Sequence, residues 1–372
     1  MKNKNLIKKR KFRALKFLKV LLLAFFSLTI ISGMFMCKVT EASSIKVKSG
    51  VDYDKRIKIW ENVAGNSSRS KLDDMNIDKN RLVSNEEFAK AIVGNKFSNK
   101  EKTIDTFTYL YEIKGGYEKE TYEDEPYLIP YLVDSSDESV IIIPGGGYGY
   151  KSMDGSTQEG KEVAYTLNKN GINAFVLHYR SNPYEYPIPQ LDVQRAIRYL
   201  RYHSLDYGIN PDKIGLIGFS AGGTQVGCFI NKIRGKDLFP EEYIIDEIDK
   251  VSDNIANAAM IYPVLDYYNN VPMLFSLFNS EEVRNKQKRM ELLEEMDLKK
   301  YITSEDIPQL VAYGTNDLIV GSDGAKSYIN VARKKGVNIK EISVEGGGHG
   351  FNQKCYMSEF LRWFKTLNNK NI

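Results

Sequence analysis

One stretch, Lys213–Gly223 (KIGLIGFSAGG), constrains the fold more than any other. Ile214, Leu216 and Ile217, with the small Gly215 among them, read as a short buried strand. Gly218-Phe219-Ser220-Ala221-Gly222 follows at once and fits G-x-S-x-G. That pattern is a strained strand-to-helix elbow, which raises a serine hydroxyl above the end of a parallel sheet. Glycines two residues before and after Ser220 are required because a Cβ there would collide with the adjoining strand or helix. A small residue at 221 lets its backbone N–H face a developing oxyanion. Alone, the pattern arises by chance in roughly one chain in ten of this length, so its weight comes from its surroundings.

Those surroundings alternate strand and helix. TFTYLYEI (106–113) and YLIPYLV (127–133) are rich in aromatic and β-branched residues and read as an antiparallel pair. SVIII (139–143) is the next strand, followed by a Gly-rich turn and a helix over 158–170. AFVLHY (174–179) precedes a helix over 191–207 whose apolar face carries Val193, Ala196, Ile197 and Leu200. After the elbow come strands at 258–264, 309–314 and 339–344, with helices over 324–335 and 357–367. The alternation predicts an α/β fold, a mostly parallel sheet with helices on both faces. Two segments break the rhythm. Residues 241–255 are acidic and helical in tendency, and 267–305 form a helical insertion beyond a strand's C-terminal end. An insertion at that edge lies beside the crevice where open α/β sheets bind ligands, and reads as a pocket wall.

The net charge of +4 belongs to the first 42 residues, which hold ten Lys or Arg and one acid, Glu41. The remainder has 42 basic against 47 acidic side chains, net −5, and gives no argument for nucleic-acid binding. Residues 1–42 read as a secretory signal, with a basic start, an apolar run over 20–36 and a cleavage site after Ala42. The alternative is an uncleaved membrane anchor through 20–36; either way the rest is exported, to the outside or to the membrane's outer face. Met36 is too bulky for Cys37 to read as a lipidation site. Residues 43–103 form a polar extension with one readable element, a capping box at Ser84–Glu87 whose helix Gly94 closes. Residues 104–372 then make up the catalytic domain. Beyond the leader only Cys228 and Cys355 remain, so disulfides do not build this fold, and no His/Cys cluster has metal-ligand spacing. No cofactor is expected. Oligomeric state has no signature in the sequence.

A serine hydroxyl needs a neighbouring base. Of three histidines, His178 lies within a strand and His203 on the solvent side of a helix. His349 sits in EGGGHGF (345–351), where a glycine-rich loop can carry an imidazole over the sheet edge. The acid that orients it reads as Asp317, directly after the 309–314 strand, with Asp266 after the preceding strand as competitor. Asp323 reads as a helix cap. Ser220, Asp317, His349 is the chain order expected of the elbow fold. Gly145-Gly146-Gly147 after the 139–143 strand reads as an oxyanion loop, offering the N–H groups of Gly145 and Gly146 beside that of Ala221. A phosphate-binding loop is excluded, because no Lys-Ser/Thr follows and the spacing is not G-x-G-x-x-G.

With PGGGY (144–148), HYRSNPYEYPIPQLDVQRAIRYLR (178–201), GFSAGG (218–223), IYPVLD (261–266), YGTNDLIV (313–320) and GGGHGF (346–351), the chain resembles the α/β-hydrolase superfamily. Within it, the resemblance is to small esterases related to acetyl xylan esterases and the BD-FAE group, over 140–364. It implies a metal-free serine esterase working through an acyl-enzyme, with the same three residues, and a substrate pocket bordered by Gly147 and Tyr148. Pro144 stands where many such esterases have His. The function expected is an exported carboxylic-ester hydrolase acting on a small ester or an acetylated carbohydrate such as xylan fragments. Two alternatives keep the fold: a peptidase of prolyl-oligopeptidase type, or a non-catalytic binding protein. The first usually carries a large β-propeller, which about 60 extra residues cannot build.

Overall fold

In the computed structural model the apolar strands of the chain pair into one sheet whose central members are buried on both faces. The structure describes residues 56–65, 125–148, 159–181 and 184–369. In chain order, strands β1 (Ile57–Lys58), β2 (Tyr127–Tyr131) and β3 (Ser139–Ile143) lead to helix α1 (Lys161–Lys169). Strand β4 (Asn173–His178) is followed by α2 (Ile188–Tyr202) and α3 (Ser204–Tyr207). Strand β5 (Ile214–Phe219) runs into α4 (Ala221–Cys228), and β6 (Asn257–Ile261) into the short helices α5 (Pro272–Phe275), α6 (Ser280–Arg284) and α7 (Lys286–Glu295). Strand β7 (Gln309–Gly314), α8 (Asp323–Lys334), β8 (Ile339–Val344) and α9 (Met357–Asn369) complete the order.

The strands form one sheet in the order β1-β2-β4-β3-β5-β6-β7-β8. Only β1–β2 and β2–β4 pair antiparallel; the other pairs are parallel. Side chains on β3 divide by the period of two. Ile141 and Ile143 join the core beneath α2, α4 and α8, whereas Val140 and Ile142 join the core beneath α1 and α9. A strand buried on both faces must be apolar throughout, which is why SVIII shows no alternation in the sequence.

Residues 56–65 belong to this core. Trp60 Nε1 donates to Asp192 Oδ1 at 3.0 Å, and Arg195 Nε donates to the Ile59 carbonyl at 2.6 Å. Asp192 in turn holds Arg180 in an ion pair at 2.7 Å with neither side chain exposed. Breaking such a pair from one side strands a buried charge, at about 3–5 kcal/mol.

Several expectations change. The helix expected over 241–255 is absent, and the segment runs through turns. Its carboxylates are engaged elsewhere: Asp246 and Asp249 bind Arg195 at 2.6 and 2.7 Å, and Asp246 Oδ1 accepts from the Ile248 and Asp249 N–H groups. Local side-chain acceptors of this kind compete with helical bonding. The helix expected over 191–207 begins at 188 and breaks at His203, giving α2 and α3. The strand expected over 258–264 stops at Ile261, because Tyr262 takes φ +40° and Pro263 has no N–H to give. Asp323 is the first residue of α8 rather than its cap, which is Ser322. The strand at 106–113 and the capping box at 84–87 lie outside the described residues, as does the leader. No helix among the described residues is long and apolar enough to cross a membrane. Cys228 is buried and Cys355 exposed, and both are free thiols.

Candidate active site

Four loops leave the C-terminal ends of β3, β5, β7 and β8, and the sheet order brings them together. The first to matter is the elbow. Ser220 has φ +50° and ψ −117°, a backbone that L-residues avoid and that the surrounding bonds enforce. Its N–H donates to the Ile261 carbonyl at 2.9 Å, and its carbonyl accepts from Thr224 N at 2.9 Å. The flanking glycines leave no room for a side chain. A Cβ on Gly218 would lie 2.3 Å from the Gly222 carbonyl oxygen, and one on Gly222 would lie 1.9 Å from that of Ile143. The elbow is therefore pressed against β3, the strand that carries the PGGG loop.

The β7 and β8 loops are stitched to each other. Asn316 N donates to the Gly347 carbonyl at 2.9 Å and Gly346 N to Thr315 Oγ1 at 2.8 Å. A Cβ on Gly314 would meet the Gly347 oxygen at 2.2 Å, so the two backbones touch. That contact sets Asp317 beside His349. His349 Nδ1 lies 2.8 Å from Asp317 Oδ2, and His349 Nε2 lies 2.8 Å from Ser220 Oγ. The other Asp317 oxygen accepts the N–H groups of Ile319 and Val320, each at 2.9 Å. Burial by itself would raise the Asp317 carboxyl. The imidazole of His349 and the two backbone donors outweigh it and hold the group below its usual value. An ionised Asp317 accepts Nδ1–H, which leaves Nε2 free to accept the serine proton.

Asp266 is not part of this line. Its carboxyl accepts from Tyr268 N at 2.9 Å and from the Asn269 amide, closing the turn after β6. His178 is buried in β4 and stacks on Tyr127 with ring centroids 4.6 Å apart. His203 pairs with Asp206 at 2.8 Å at the break between α2 and α3. Elimination among three histidines and two aspartates thus meets a single linear arrangement in space.

The glycine loop differs from expectation at one position. The Gly145 N–H, expected to be offered to an oxyanion, donates to Glu159 Oε2 at 3.0 Å. The carbonyl of the same peptide, that of Pro144, accepts from Tyr179 Oη at 2.9 Å. Neither the Gly146 nor the Ala221 N–H has an acceptor among the described residues, and Ala221 opens α4, where N–H groups lack intrahelical partners. Gly147 is half-buried with φ +62°. Tyr148, also at positive φ, is fully buried against Tyr179, and its hydroxyl has no partner among the described residues. Burial, reinforced by Cys228 and Tyr179, pushes that phenol well above its ordinary value. Sequence reasoning missed Glu159 and Tyr262. An acid just ahead of a helix looks like any first-turn carboxylate, and no local pattern distinguishes it.

A serine on a strand–turn–helix elbow, bonded to a histidine that is bonded to an aspartate, over the C-terminal edge of this sheet, defines an α/β-hydrolase. Within that class, the BD-FAE family model matches residues 128–330, more than half of the chain, and the chain belongs to the BD-FAE family. It is similar to an acetylxylan esterase of Xylanibacter ruminicola, 27% identical over 232 residues, 62% of this chain and 43% of that protein. It is also similar to endo-1,4-beta-xylanase B of Butyrivibrio fibrisolvens, 26% identical over 251 residues, 65% of this chain and 36% of that one. The matches thus span less than half the length of these relatives. Among solved structures, an acetyl ester-xyloside bifunctional hydrolase from Caldicellulosiruptor lactoaceticus superposes with TM-score 0.59 at 24% identity, over 86% of this chain and 99% of its own. That likeness shows the fold.

Proposed function

We propose that this chain is an exported serine carboxylic-ester hydrolase that removes acetyl or similarly small acyl groups from carbohydrate. One observation carries the reading: the unbroken line of two 2.8 Å bonds from Ser220 through His349 to Asp317. The names of the two relatives supply the carbohydrate, since one is an acetylxylan esterase and the other a xylanase. Export rests on the composition of residues 1–42 alone, and with it the reading of those residues as a leader.

In this reading Ser220 Oγ attacks the ester carbonyl carbon as its proton passes to His349 Nε2. The imidazolium that forms is stabilised by the ionised Asp317. The carbonyl oxygen, now an oxyanion, accepts from the Ala221 and Gly146 N–H groups at the positive end of α4. Collapse expels the alcohol oxygen, which takes the proton from His349, and leaves Ser220 acylated. Water then gives a proton to the same imidazole and attacks the acyl carbonyl, releasing the acid and restoring the serine. Gly147 and Tyr148 are proposed to bound the acyl side.

The test compares p-nitrophenyl acetate, butyrate and octanoate on the full-length chain and on Ser220→Ala. Turnover should fall with acyl length, and Ser220→Ala should lower kcat by several orders of magnitude. A fall of less than about tenfold would remove Ser220 from the reaction.

A further inference from the structure

Glu159 stands immediately ahead of Gly160 and α1, yet its carboxyl does not cap that helix, whose N-terminus has no side-chain cap. It is 7% exposed, and both of its oxygens accept hydrogen bonds that lead into the site. Oε2 accepts the Gly145 N–H at 3.0 Å, and Oε1 accepts the Tyr262 hydroxyl at 3.0 Å. Burying a carboxyl is costly unless its acceptor capacity is used, and here it is used on two loops rather than on its own helix.

Each of those bonds has a consequence for the reacting groups. Peptide 144–145 is held at both ends, its carbonyl by Tyr179 and its N–H by Glu159. A Cβ on Gly145 would lie 2.9 Å from Ser220 Cβ and 2.7 Å from the Phe219 oxygen, so this peptide lies directly against the nucleophile. The next N–H along the chain is that of Gly146. On the other side, Tyr262 packs its ring against His349 with centroids 5.0 Å apart and against Phe351 at 4.9 Å. Tyr262 also carries φ +40°, a strained conformation at a non-glycine residue that the structure has to maintain.

We propose that Glu159 is a positioning residue that ties the oxyanion loop to the aromatic wall behind His349, so that one buried carboxyl sets both the Gly146 donor and the base. This rests on the esterase reading above. Its loss should affect the transition state, where the oxyanion exists, far more than the bound ester.

The experiment measures kcat and KM on p-nitrophenyl acetate for the full-length wild type, Ser220→Ala, Glu159→Gln and Glu159→Met, with thermal unfolding of each. It adds the inhibition constant of a small trifluoromethyl ketone, whose hemiketal oxyanion mimics the intermediate. Glu159→Met keeps length and removes both acceptors; kcat should fall by about 10²–10³-fold with KM nearly unchanged, as for loss of an oxyanion donor. The ketone should weaken in parallel. Glu159→Gln keeps one acceptor for Gly145 and should lose only about tenfold. Both variants within about twofold of wild type would overturn the proposal, and so would Gln falling as far as Met, or KM rising in place of kcat. Should Glu159→Met not fold, Glu159→Gln decides by the same split between kcat and KM. An inactive wild type, or Ser220→Ala as active as wild type, would instead overturn the esterase reading.

Discussion

Gly222→Ala adds one methyl group at the point where the elbow presses on the neighbouring strand. The new Cβ would stand 1.9 Å from the Ile143 carbonyl oxygen and 2.6 Å from that of Pro144. Both are backbone atoms at the end of a central strand buried on two faces, so no side chain can rotate away. Overpacking costs about 1–3 kcal/mol in general, and a backbone clash this short belongs at the upper end. Alanine regains roughly 0.5–1 kcal/mol over glycine within a helix such as α4, so the net loss is about 2 kcal/mol or somewhat more. For a domain of this size that lowers Tm by roughly 3–5 °C. The strand can relieve the clash only by moving Pro144 and the loop behind it. A displacement of about 1 Å at a reacting geometry costs on the order of 10²-fold in rate. Calorimetry and p-nitrophenyl acetate turnover, measured well below the transition, read the two effects separately. Gly348→Ala is the control, since nothing lies within 4 Å of its Cβ position, and its Tm should match wild type. A Gly222→Ala variant equal to wild type in both Tm and kcat would refute the close-approach argument.

Asp317→Asn should lower kcat on the order of 10³–10⁴-fold by removing the acceptor that fixes the imidazole. Because the Asp317 carboxyl is held below its ordinary value in the folded chain, its stabilisation is present above the unfolded-state value and lost as pH falls through the folded one. The stability gap between wild type and Asp317→Asn should therefore shrink as the pH falls below the ordinary aspartate value of about 4, and a gap that widens there would contradict the direction of the shift. For the thiols, burial pushes Cys228 up to about 11 despite the Tyr267 hydroxyl and Lys232, whereas Cys355 is exposed. Iodoacetamide near neutral pH should label Cys355 and spare Cys228 in the native chain, as read by peptide mass spectrometry. Equal labelling would show that α4 opens to solvent.

Much of the site is legible in the chain because its parts are local. An elbow glycine must avoid its immediate neighbours, a strand's last residue is followed by its own loop, and a histidine among glycines announces an unusual backbone. Ser220, Asp317 and His349 each sit directly after a strand that patterning finds, and β7 and β8 match their expected bounds at both ends. Where patterning fails, a contact distant in sequence has taken over. Residues 241–255 have helical composition, but Arg195, some fifty residues earlier, claims two of their carboxylates. The last residues expected in β6 turn aside at Tyr262, whose hydroxyl reaches back to Glu159.

The sequence by itself specified the alternation of strands and helices and the serine and histidine of the site, and left two aspartates for the third place. What it specified depends on spacing along the chain and on what each residue's own backbone can adopt. Which aspartate meets the histidine, which glycine N–H a carboxyl takes, and what holds the loop in place were decided only by the tertiary structure. Asp266 and Asp317 both follow strands, but only the β7 loop is stitched to the β8 loop that carries His349. Gly145 and Gly146 are indistinguishable as letters, but one N–H faces a carboxyl fourteen residues away. A hydrogen bond is settled by distance and angle between groups, and nothing in the spacing of the sequence specifies which of two adjacent amides a remote acceptor will reach.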